Sequence, residues 1–277
     1  MNPRTSIGQS TIPACALLLA VLSGGCASSP TSSTSGKPVL LYSLHYNAPG
    51  ENRYPPDGNY SEILKQFSED FTVRVHAEPL NDRTLADVRL VLIANANAEP
   101  VPGNPPPNKV SDADIAALTR FVENGGGLIV MQNQEGHNVE YENMNRLLAR
   151  FGMQTVEQYT DPKMIAIPGD HPFLGGLRWA YVVGNSVTIN ASHPARPRAI
   201  VANDPGQKLL GGTRDAPGIL LAGAEPGKGH VLVVTDCGWI INGVFAGEAA
   251  AGVVFPDHDN REIARRLTRW AAGLPSR

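Results

Sequence analysis

Three consecutive glycines, Gly125, Gly126 and Gly127, lead directly into the apolar residues 128–131, and this junction constrains the fold more than any other feature of the sequence. Asn124 and Gly125 are typical of the end of a helix, because glycine adopts the left-handed conformation that closes a helix at little cost. The apolar run Leu-Ile-Val-Met that follows is typical of a strand buried on both faces. The junction therefore predicts a helix followed at once by a central strand of an α/β sheet.

Other segments repeat this pattern of buried strands alternating with amphipathic helices. Residues 38–44 and 88–94 are continuous apolar runs, residues 71–76 alternate as expected nearer a sheet edge, and residues 218–222 and 230–235 flank a Pro-Gly turn as in a hairpin. We expect an α/β fold with a doubly wound, mostly parallel sheet and an antiparallel β extension in the C-terminal half. The sequence does not indicate the register of residues 154–217.

The first 37 residues carry signals of export rather than of folding. Residues 1–25 combine Arg4, a short apolar run and small residues, as in a signal peptide, and the cysteine that follows resembles the lipidation site of bacterial lipoproteins. This predicts a signal peptide over residues 1–25, a lipid on Cys26, a flexible tether over residues 26–37 and a folded domain over residues 38–273. Ala27 and Ser28 favour an outer-membrane anchor that faces the periplasm. The open alternative is an ordinary secreted protein cleaved nearby.

Charge and cysteine content exclude several classes of function. The 277 residues include 23 Lys+Arg and 26 Asp+Glu without a basic run, so we expect no binding to nucleic acid. Of the 3 cysteines only Cys237 lies in the expected domain, which rules out an internal disulfide there. The membrane, through the lipid, and either a small polar ligand or an envelope protein are the expected partners.

In doubly wound sheets, ligands bind beyond the carboxyl ends of the strands, where the strand order reverses. Four polar loops follow predicted strands: residues 45–47, 95–97, 132–138 and 236–239. The candidate ligand-binding residues in these loops are His45, Asn95, Glu135, His137, Asp236 and Trp239.

The chemistry of these candidates leaves alternatives open. Glu135 and His137 can act as an acid and base pair or bind a metal, but their spacing matches no diagnostic metal motif, and nearby acidic residues can instead cap a helix. Asp236 and Trp239 can bind and stack on a sugar, or form a buried turn that closes the core. The sequence assigns no metal and no cofactor.

The motifs FVENGGGLIVM, NMNRLLARFGM, GDHPFLGGL, GKGHVLVVTDCGWIIN and DNREIARRLTRWAAG together resemble the class I glutamine amidotransferase-like superfamily. The likeness is nearest to branches without amidotransferase activity, the ThuA-like proteins and the GldG-like domains of gliding-motility transporters. It implies a flavodoxin-like fold over residues 38–273. Amidotransferases carry a nucleophilic cysteine after a central strand, whereas Gln132, Asn133 and Gln134 stand in the corresponding loop, so glutaminase activity is not expected.

We therefore expect a lipid-anchored periplasmic protein whose catalytically degenerate domain binds a small polar ligand, such as a carbohydrate, or an envelope partner. One alternative is a hydrolase or sugar-modifying enzyme that uses Glu135 and His137, with or without a metal. Another is a purely structural partner in an envelope complex, as the tether and the proline-rich residues 101–108 suggest.

Overall fold

The computed structural model describes residues 36–212, 214 and 216–275, and the compact unit within it begins at Lys37. The expected signal peptide, Cys26 and most of the expected tether lie outside the described residues. No helix within the described ranges is both long and apolar enough to cross a lipid bilayer.

Twelve strands form the described sheets, nine of them in one large sheet and three in a small one. Their bounds are β1 Val39–Ser43, β2 Thr72–His76, β3 Val88–Ala94, β4 Gly127–Met131, β5 Met153–Thr160, β6 Lys163–Ala166, β7 Arg178–Tyr181, β8 Gly184–Ile189, β9 Arg198–Ala202, β10 Lys208–Leu210, β11 Ile219–Ala224 and β12 His230–Val234. The large sheet has the order β2-β1-β3-β4-β12-β11-β8-β5, with β9 paired to β11, and the small sheet has the order β10-β6-β7.

The large sheet is parallel in its first part and antiparallel in its second. Strands β2, β1, β3, β4 and β12 run parallel to their neighbours. Strand β11 then pairs antiparallel with β12, and β8, β9 and β5 extend the sheet in antiparallel fashion. The expected α/β fold with an antiparallel extension is confirmed.

Six α-helices accompany the sheets: α1 Ser61–Phe67, α2 Asp82–Leu85, α3 Asp112–Glu123, α4 Glu142–Ala149, α5 Asn242–Phe245 and α6 Asn260–Ala271. Alternate residues of each parallel strand point to opposite faces of the sheet, and two separate apolar clusters result. Leu40, Leu90 and Ile129 pack with α1 and α6 in one cluster. Leu41, Val91 and Leu128 pack with α3 and α4 in the other, so helices cover the sheet on both faces.

The three glycines, Gly125 to Gly127, connect α3 to the central strand β4. Helix α3 begins with the expected capping box between Ser111 and Asp114 and ends at Glu123. Gly125 then adopts a φ of 113°, a left-handed conformation that a larger residue rarely adopts. A side chain at Gly127 would place its Cβ 2.3 Å from the backbone oxygen of Ala271, so glycine allows α6 to lie directly against β4.

The chain reverses its direction of winding between β1 and β3. From β1 it crosses to β2 at the edge of the sheet, and it then returns to the other side of β1 to form β3 and β4. The loops after β1 and β3 therefore diverge at their common carboxyl edge, which is the position where such sheets leave a crevice.

Candidate functional site

A cavity of about 670 Å³ lies at this switch point. The loop after β1 forms most of its wall, which is completed by the C-terminal end of β2 with the residue after it and by two residues of the loop between β3 and α3. Its lining residues are Leu44, His45, Asn47, Ala48, Pro49, Gly50, Glu51, Tyr54, Pro55, Pro56, Asp57, Val75, Ala77, Pro106 and Asn108. Small-molecule sites in proteins have volumes of about 300 to 1,000 Å³, so the cavity has the size of a ligand pocket.

His45 is the predicted candidate that lines this cavity. Its Nδ1 atom lies 3.0 Å from the backbone oxygen of Ala77. Because a carbonyl oxygen can only accept a hydrogen bond, Nδ1 carries the proton in the neutral ring and Nε2 is left as an acceptor. This contact orients the ring of His45 and favours the tautomer with the proton on Nδ1, since the other neighbour of that atom, Asn108 Nδ2, is farther away at 3.4 Å.

Two asparagines join the loops that surround the cavity. The Asn47 Nδ2 atom donates to the backbone oxygens of Ala94 and Asn95 at 2.9 and 3.0 Å. The Asn97 Oδ1 atom accepts from the amide of Ala48 at 2.7 Å, and its Nδ2 donates to the Asn138 oxygen at 3.1 Å. These bonds connect three of the four candidate loops, those after β1, β3 and β4, at one edge of the sheet.

An ion pair closes the inner side of the cavity. The Glu51 side chain is 7% exposed, and its Oε1 accepts from Arg53 Nε at 2.8 Å while its Oε2 pairs with the same guanidinium. Burial of Glu51 would raise the pKa of its carboxyl, but the hydrogen bonds from Arg53 hold this pKa below its ordinary value. The carboxyl of Glu51 in the cavity wall is therefore ionised, and the guanidinium of Arg53 neutralises its charge.

Asn95 is fully buried in the left-handed conformation, with a φ of 46°. Its Oδ1 accepts from the Asn133 amide at 3.1 Å, and its Nδ2 donates to the His137 backbone oxygen at 3.0 Å. Both ends of the side chain are occupied within the protein. Asn95 positions the loop after β4 and does not line the cavity.

Glu135 and His137 do not form the pair that their spacing suggested. Within the described part of the chain they share no hydrogen bond or ion pair, and burial and Arg53 together lower the pKa of His137. The charge of Glu135 acts instead on Tyr141, whose pKa is raised mainly by burial and then by Glu135. The two residues therefore face different surroundings.

Several buried acceptors at this loop have no hydrogen-bond partner among the described atoms. They are the Oε1 of Gln134, the Oε2 of Glu135, the Nδ1 of His137 and the Oδ1 of Asn185. Glu140, by contrast, is satisfied by α4, since its Oε1 accepts from the Asn143 amide at 3.0 Å and its Oε2 from the Met144 amide at 3.1 Å. The capping alternative considered for this acidic cluster thus holds for Glu140.

Asp236 and Trp239 are buried, with exposed fractions of 0% and 2%. Asp236 accepts hydrogen bonds from the amides of Val182 at 2.7 Å and Gly238 at 2.5 Å, and burial raises its pKa to about 7. Trp239 packs edge to face on Trp179, with ring centroids 5.6 Å apart. Neither side chain reaches the cavity wall, which corrects the expectation of an open sugar-binding pair in favour of the buried turn.

Cys237 is also fully buried, and burial followed by the neighbouring Asp236 raises the pKa of its thiol well above the ordinary value. A thiol in this state is a poor nucleophile. Cys237 is therefore a packed residue just after β12.

Sequence reasoning missed most of the cavity wall. Glu51, Tyr54, Asp57 and the prolines of residues 48–58 form a loop after the first strand, and no sequence motif marks this loop as a site. The rule that selects carboxyl ends would have identified this loop if the strand order 2-1-3-4 had been used to locate the reversal between β1 and β3.

Comparison with solved structures shows the same kind of α/β fold in other proteins, whereas comparison of sequences gives no match. No family model matches the sequence. No curated protein sequence matches it. Among solved structures, the one described as the mmIFT52 N-terminal domain aligns with a TM-score of 0.62 and 13% identity over 84% of this chain and 97% of its own.

Two bacterial structures also align. A cytoplasmic protein from Salmonella typhimurium has a TM-score of 0.51 and 11% identity over 84% of this chain and 98% of its own. A protein from Bacteroides uniformis described as ThuA-like has a TM-score of 0.48 and 11% identity over 88% of this chain and 95% of its own. At such identities the alignments with TM-scores of 0.62 and 0.51 establish a shared α/β fold and carry no information on activity.

Proposed function

We propose that this protein is a binding domain for a small polar ligand, which it holds in the cavity at the switch point. The observation that carries the proposal is the coincidence of a cavity of about 670 Å³ with the reversal of strand order between β1 and β3. His45, Asn47 and Asn108 supply polar atoms at this position, and Tyr54 with several prolines supplies apolar surface. A few polar groups in an apolar wall are the usual composition of a ligand pocket.

A substitution that fills the cavity with a large side chain tests this proposal. Ala77 is exposed and lines the cavity, so Ala77→Trp should occupy the space without disturbing the core, whereas Ala191→Trp places the same side chain in an exposed turn after β8. Calorimetric titration would use a panel of monosaccharides, amino sugars, sugar acids and polyols. We expect at least one compound to bind, with affinity at least about tenfold lower in Ala77→Trp and unchanged in Ala191→Trp. Equal affinity in both variants would contradict the proposal.

The proposed relatives are the branches of the amidotransferase-like superfamily that lack amidotransferase activity, including the ThuA-like proteins. The sequence motifs and the doubly wound sheet support this placement, as does the loop after β4, where Gln132, Asn133 and Gln134 replace a nucleophile. A glutaminase assay on the purified protein should accordingly show no release of ammonia from glutamine, and release above the buffer blank would contradict this placement.

We further propose that Cys26 carries a lipid that anchors the domain in the cell envelope, facing the periplasm from the outer membrane. The support is the signal-like sequence of residues 1–25 and the Ser/Thr/Pro-rich residues after Cys26. Metabolic labelling with a radioactive fatty acid, followed by membrane fractionation, should label the wild-type protein and not Cys26→Ala. A wild-type protein that is unlabelled and found in the soluble fraction would contradict the anchor.

An enzymatic role is the second candidate, favoured by the buried and unpartnered Oε2 of Glu135 and Nδ1 of His137 in the described structure. Because the pKa of His137 is lowered, its ring is neutral at pH 7 and can accept a proton. Metal analysis of the purified protein and of His137→Ala tests the metal-dependent version, which requires a stoichiometric ion that the variant loses.

A further inference from the structure

Apart from the hydroxyl of Tyr54, which accepts from Asn133 Nδ2 and keeps its own proton, the polar side chains of the cavity present mainly acceptors. Both N–H bonds of the Asn47 amide are occupied by the backbone oxygens of Ala94 and Asn95, and Asn108 Nδ2 donates to the His45 oxygen at 3.0 Å. The oxygen atoms of these two amides, Nε2 of His45 and the carboxylate of Asp57 remain as acceptors. Among the described lining residues there is no lysine, arginine, serine, threonine or tryptophan.

The backbone of the wall is also poor in donors. Pro49, Pro55, Pro56 and Pro106 line the cavity and carry no N–H group. The amides of four further lining residues are already bonded within the protein, namely those of Leu44, Asn47, Ala48 and Glu51. The prolines and these bonded amides together make up eight of the fifteen lining residues, so about half of the wall offers no free backbone N–H group.

Cationic side chains next to the wall are held by other partners. Arg53 forms a bidentate ion pair with Glu51, and the pair as a whole carries no net charge. Lys109 follows the lining residue Asn108, and its Nζ atom donates to the backbone oxygens of Asn97, at 3.1 Å, and Ala98. Asp57, which is exposed at the rim, has no ion-pair partner among the described residues.

An anion bound here would lose its hydration and meet no cationic side chain of the wall that is free to pair with it, whereas a ligand with its own O–H or N–H groups would satisfy the acceptors. The apolar surfaces of Tyr54, Leu44, Val75 and the prolines suit the C–H faces of a sugar ring. We infer that the cavity selects polyhydroxylated ligands without an anionic group and prefers those with an ammonium group. This inference rests on the proposed function and adds the class of ligand.

Matched sugars that differ in one group test the selection. Glucose, glucosamine and glucuronate form one series, and galactose, galactosamine and galacturonate form a second with a different stereochemistry. In calorimetric titrations of the wild-type protein, we expect the neutral or amino sugar of at least one series to bind at least about tenfold more tightly than the corresponding acid.

The outcomes separate the inference from the proposed function. If a sugar acid binds as tightly as its neutral and amino counterparts, and loses affinity in Ala77→Trp, the cavity binds ligands but the inference is overturned. If none of the six sugars binds, the inference is likewise overturned, and the proposed function is then decided by the wider panel.

A charge reversal at the rim gives an independent check. Asp57→Lys introduces a donor and a positive charge at the cavity, and Asp170→Lys makes the same change of charge at an exposed residue that does not line it. We expect Asp57→Lys to weaken amino-sugar binding by about two- to fivefold and to strengthen binding of the acid, as is usual for exposed charges. Identical effects of the two variants would show that overall charge, and not the cavity, sets the preference.

Discussion

At the scale of single residues, Asp236 shows how an ionisable group is used inside the fold. Its two oxygens accept from the amides of Val182 and Gly238, which ties the turn after β12 to the connection between β7 and β8. Burial nevertheless outweighs these bonds and raises the pKa of the carboxyl from 3.8 to about 7. The group is therefore protonated in the folded protein over a pH range where it is ionised in the unfolded chain.

This difference makes stability depend on pH. Between about pH 4 and pH 7 the folded state binds more protons at Asp236 than the unfolded state, so the contribution of this residue to stability falls as pH rises and levels off above pH 7. Asp236→Asn removes the titration. It should lower stability at every pH, because one acceptor is lost, but the deficit should shrink by up to about 2 to 3 kcal/mol from pH 5 to pH 8.

Urea unfolding of wild type and Asp236→Asn at several pH values measures this effect, and the difference between the two proteins cancels the titration of all other groups. Asp170→Asn, at an exposed residue, is the control. A deficit for Asp236→Asn that stays constant from pH 5 to pH 8 would contradict the raised pKa.

The sequence identified Asp236, Trp239, Asn95 and His45 as polar or aromatic residues at strand ends, but it did not indicate which way their side chains point. Their directions depend on partners distant in sequence, as when Asp236 meets Val182 and Asn95 meets His137. His45 alone among these four lines the cavity. Residue type and strand position predict the edge on which a residue lies, whereas burial is decided by tertiary packing.

At the scale of elements, helix α4 depends on a carboxylate that precedes it. Glu140 lies two residues before the helix begins, is 5% exposed, and accepts from two amides of the first turn, Asn143 and Met144. These amides have no partner within a helix, so a carboxylate there satisfies donors and interacts favourably with the helix dipole. Glu140 thus stabilises the helix that follows the candidate loop.

Removal of this cap should be measurable. Glu140→Ala should lower the free energy of unfolding by about 1 to 2 kcal/mol, because two buried amides lose their acceptor. Glu142→Ala is a matched control, since Glu142 lies in the first turn of the same helix but is exposed, and its loss should cost about 0.5 kcal/mol or less. Equal costs in urea denaturation would argue against the cap.

The contact between β4 and α6 also depends on a single residue, Gly127, at the start of β4. A Cβ at Gly127 would lie 2.3 Å from the Ala271 oxygen and 2.8 Å from its carbonyl carbon, both of which are backbone atoms that cannot rotate away. Gly127→Ala should therefore shift α6 and lower stability by about 1 to 3 kcal/mol. At Gly169 a Cβ would have no atom within 4 Å, so Gly169→Ala should leave the midpoint of thermal unfolding nearly unchanged. Equal midpoints for the two variants would contradict the close packing of α6 on β4.

At the scale of the whole molecule, the individual strands of the parallel half could be predicted from sequence, whereas for the antiparallel half only its presence and the hairpin at its start could be predicted. Strand β3 has the bounds expected, and the hairpin of β11 and β12 is present, because their apolar runs and turns are local signals. Strands β6, β7 and β10 have only three or four residues, and two pairings among β5 to β10 carry shifts of register, for example between Val156 and Thr160. Such pairings are set by contacts distant in sequence.

The location of the cavity likewise depends on the topology of the whole sheet. It arises from the order of β2, β1, β3 and β4 rather than from any motif, and no single residue of its wall is unusual in type. The polar loop after β4, which the sequence favoured, lies at the same edge but is held by Asn95 and Asn97. We therefore place the ligand beside β1 and not beside β4.

Mapping of a bound ligand by amide chemical shifts tests this central claim most directly. Purified protein labelled with ¹⁵N would be titrated with the sugar that binds most tightly in the calorimetric titrations. The account predicts that the largest shift changes fall on the loop of residues 44–57, which forms most of the cavity wall, and on Ala77 and Asn108, which also line the cavity. Changes centred instead on Gln134, Glu135 and Asn185 would contradict it.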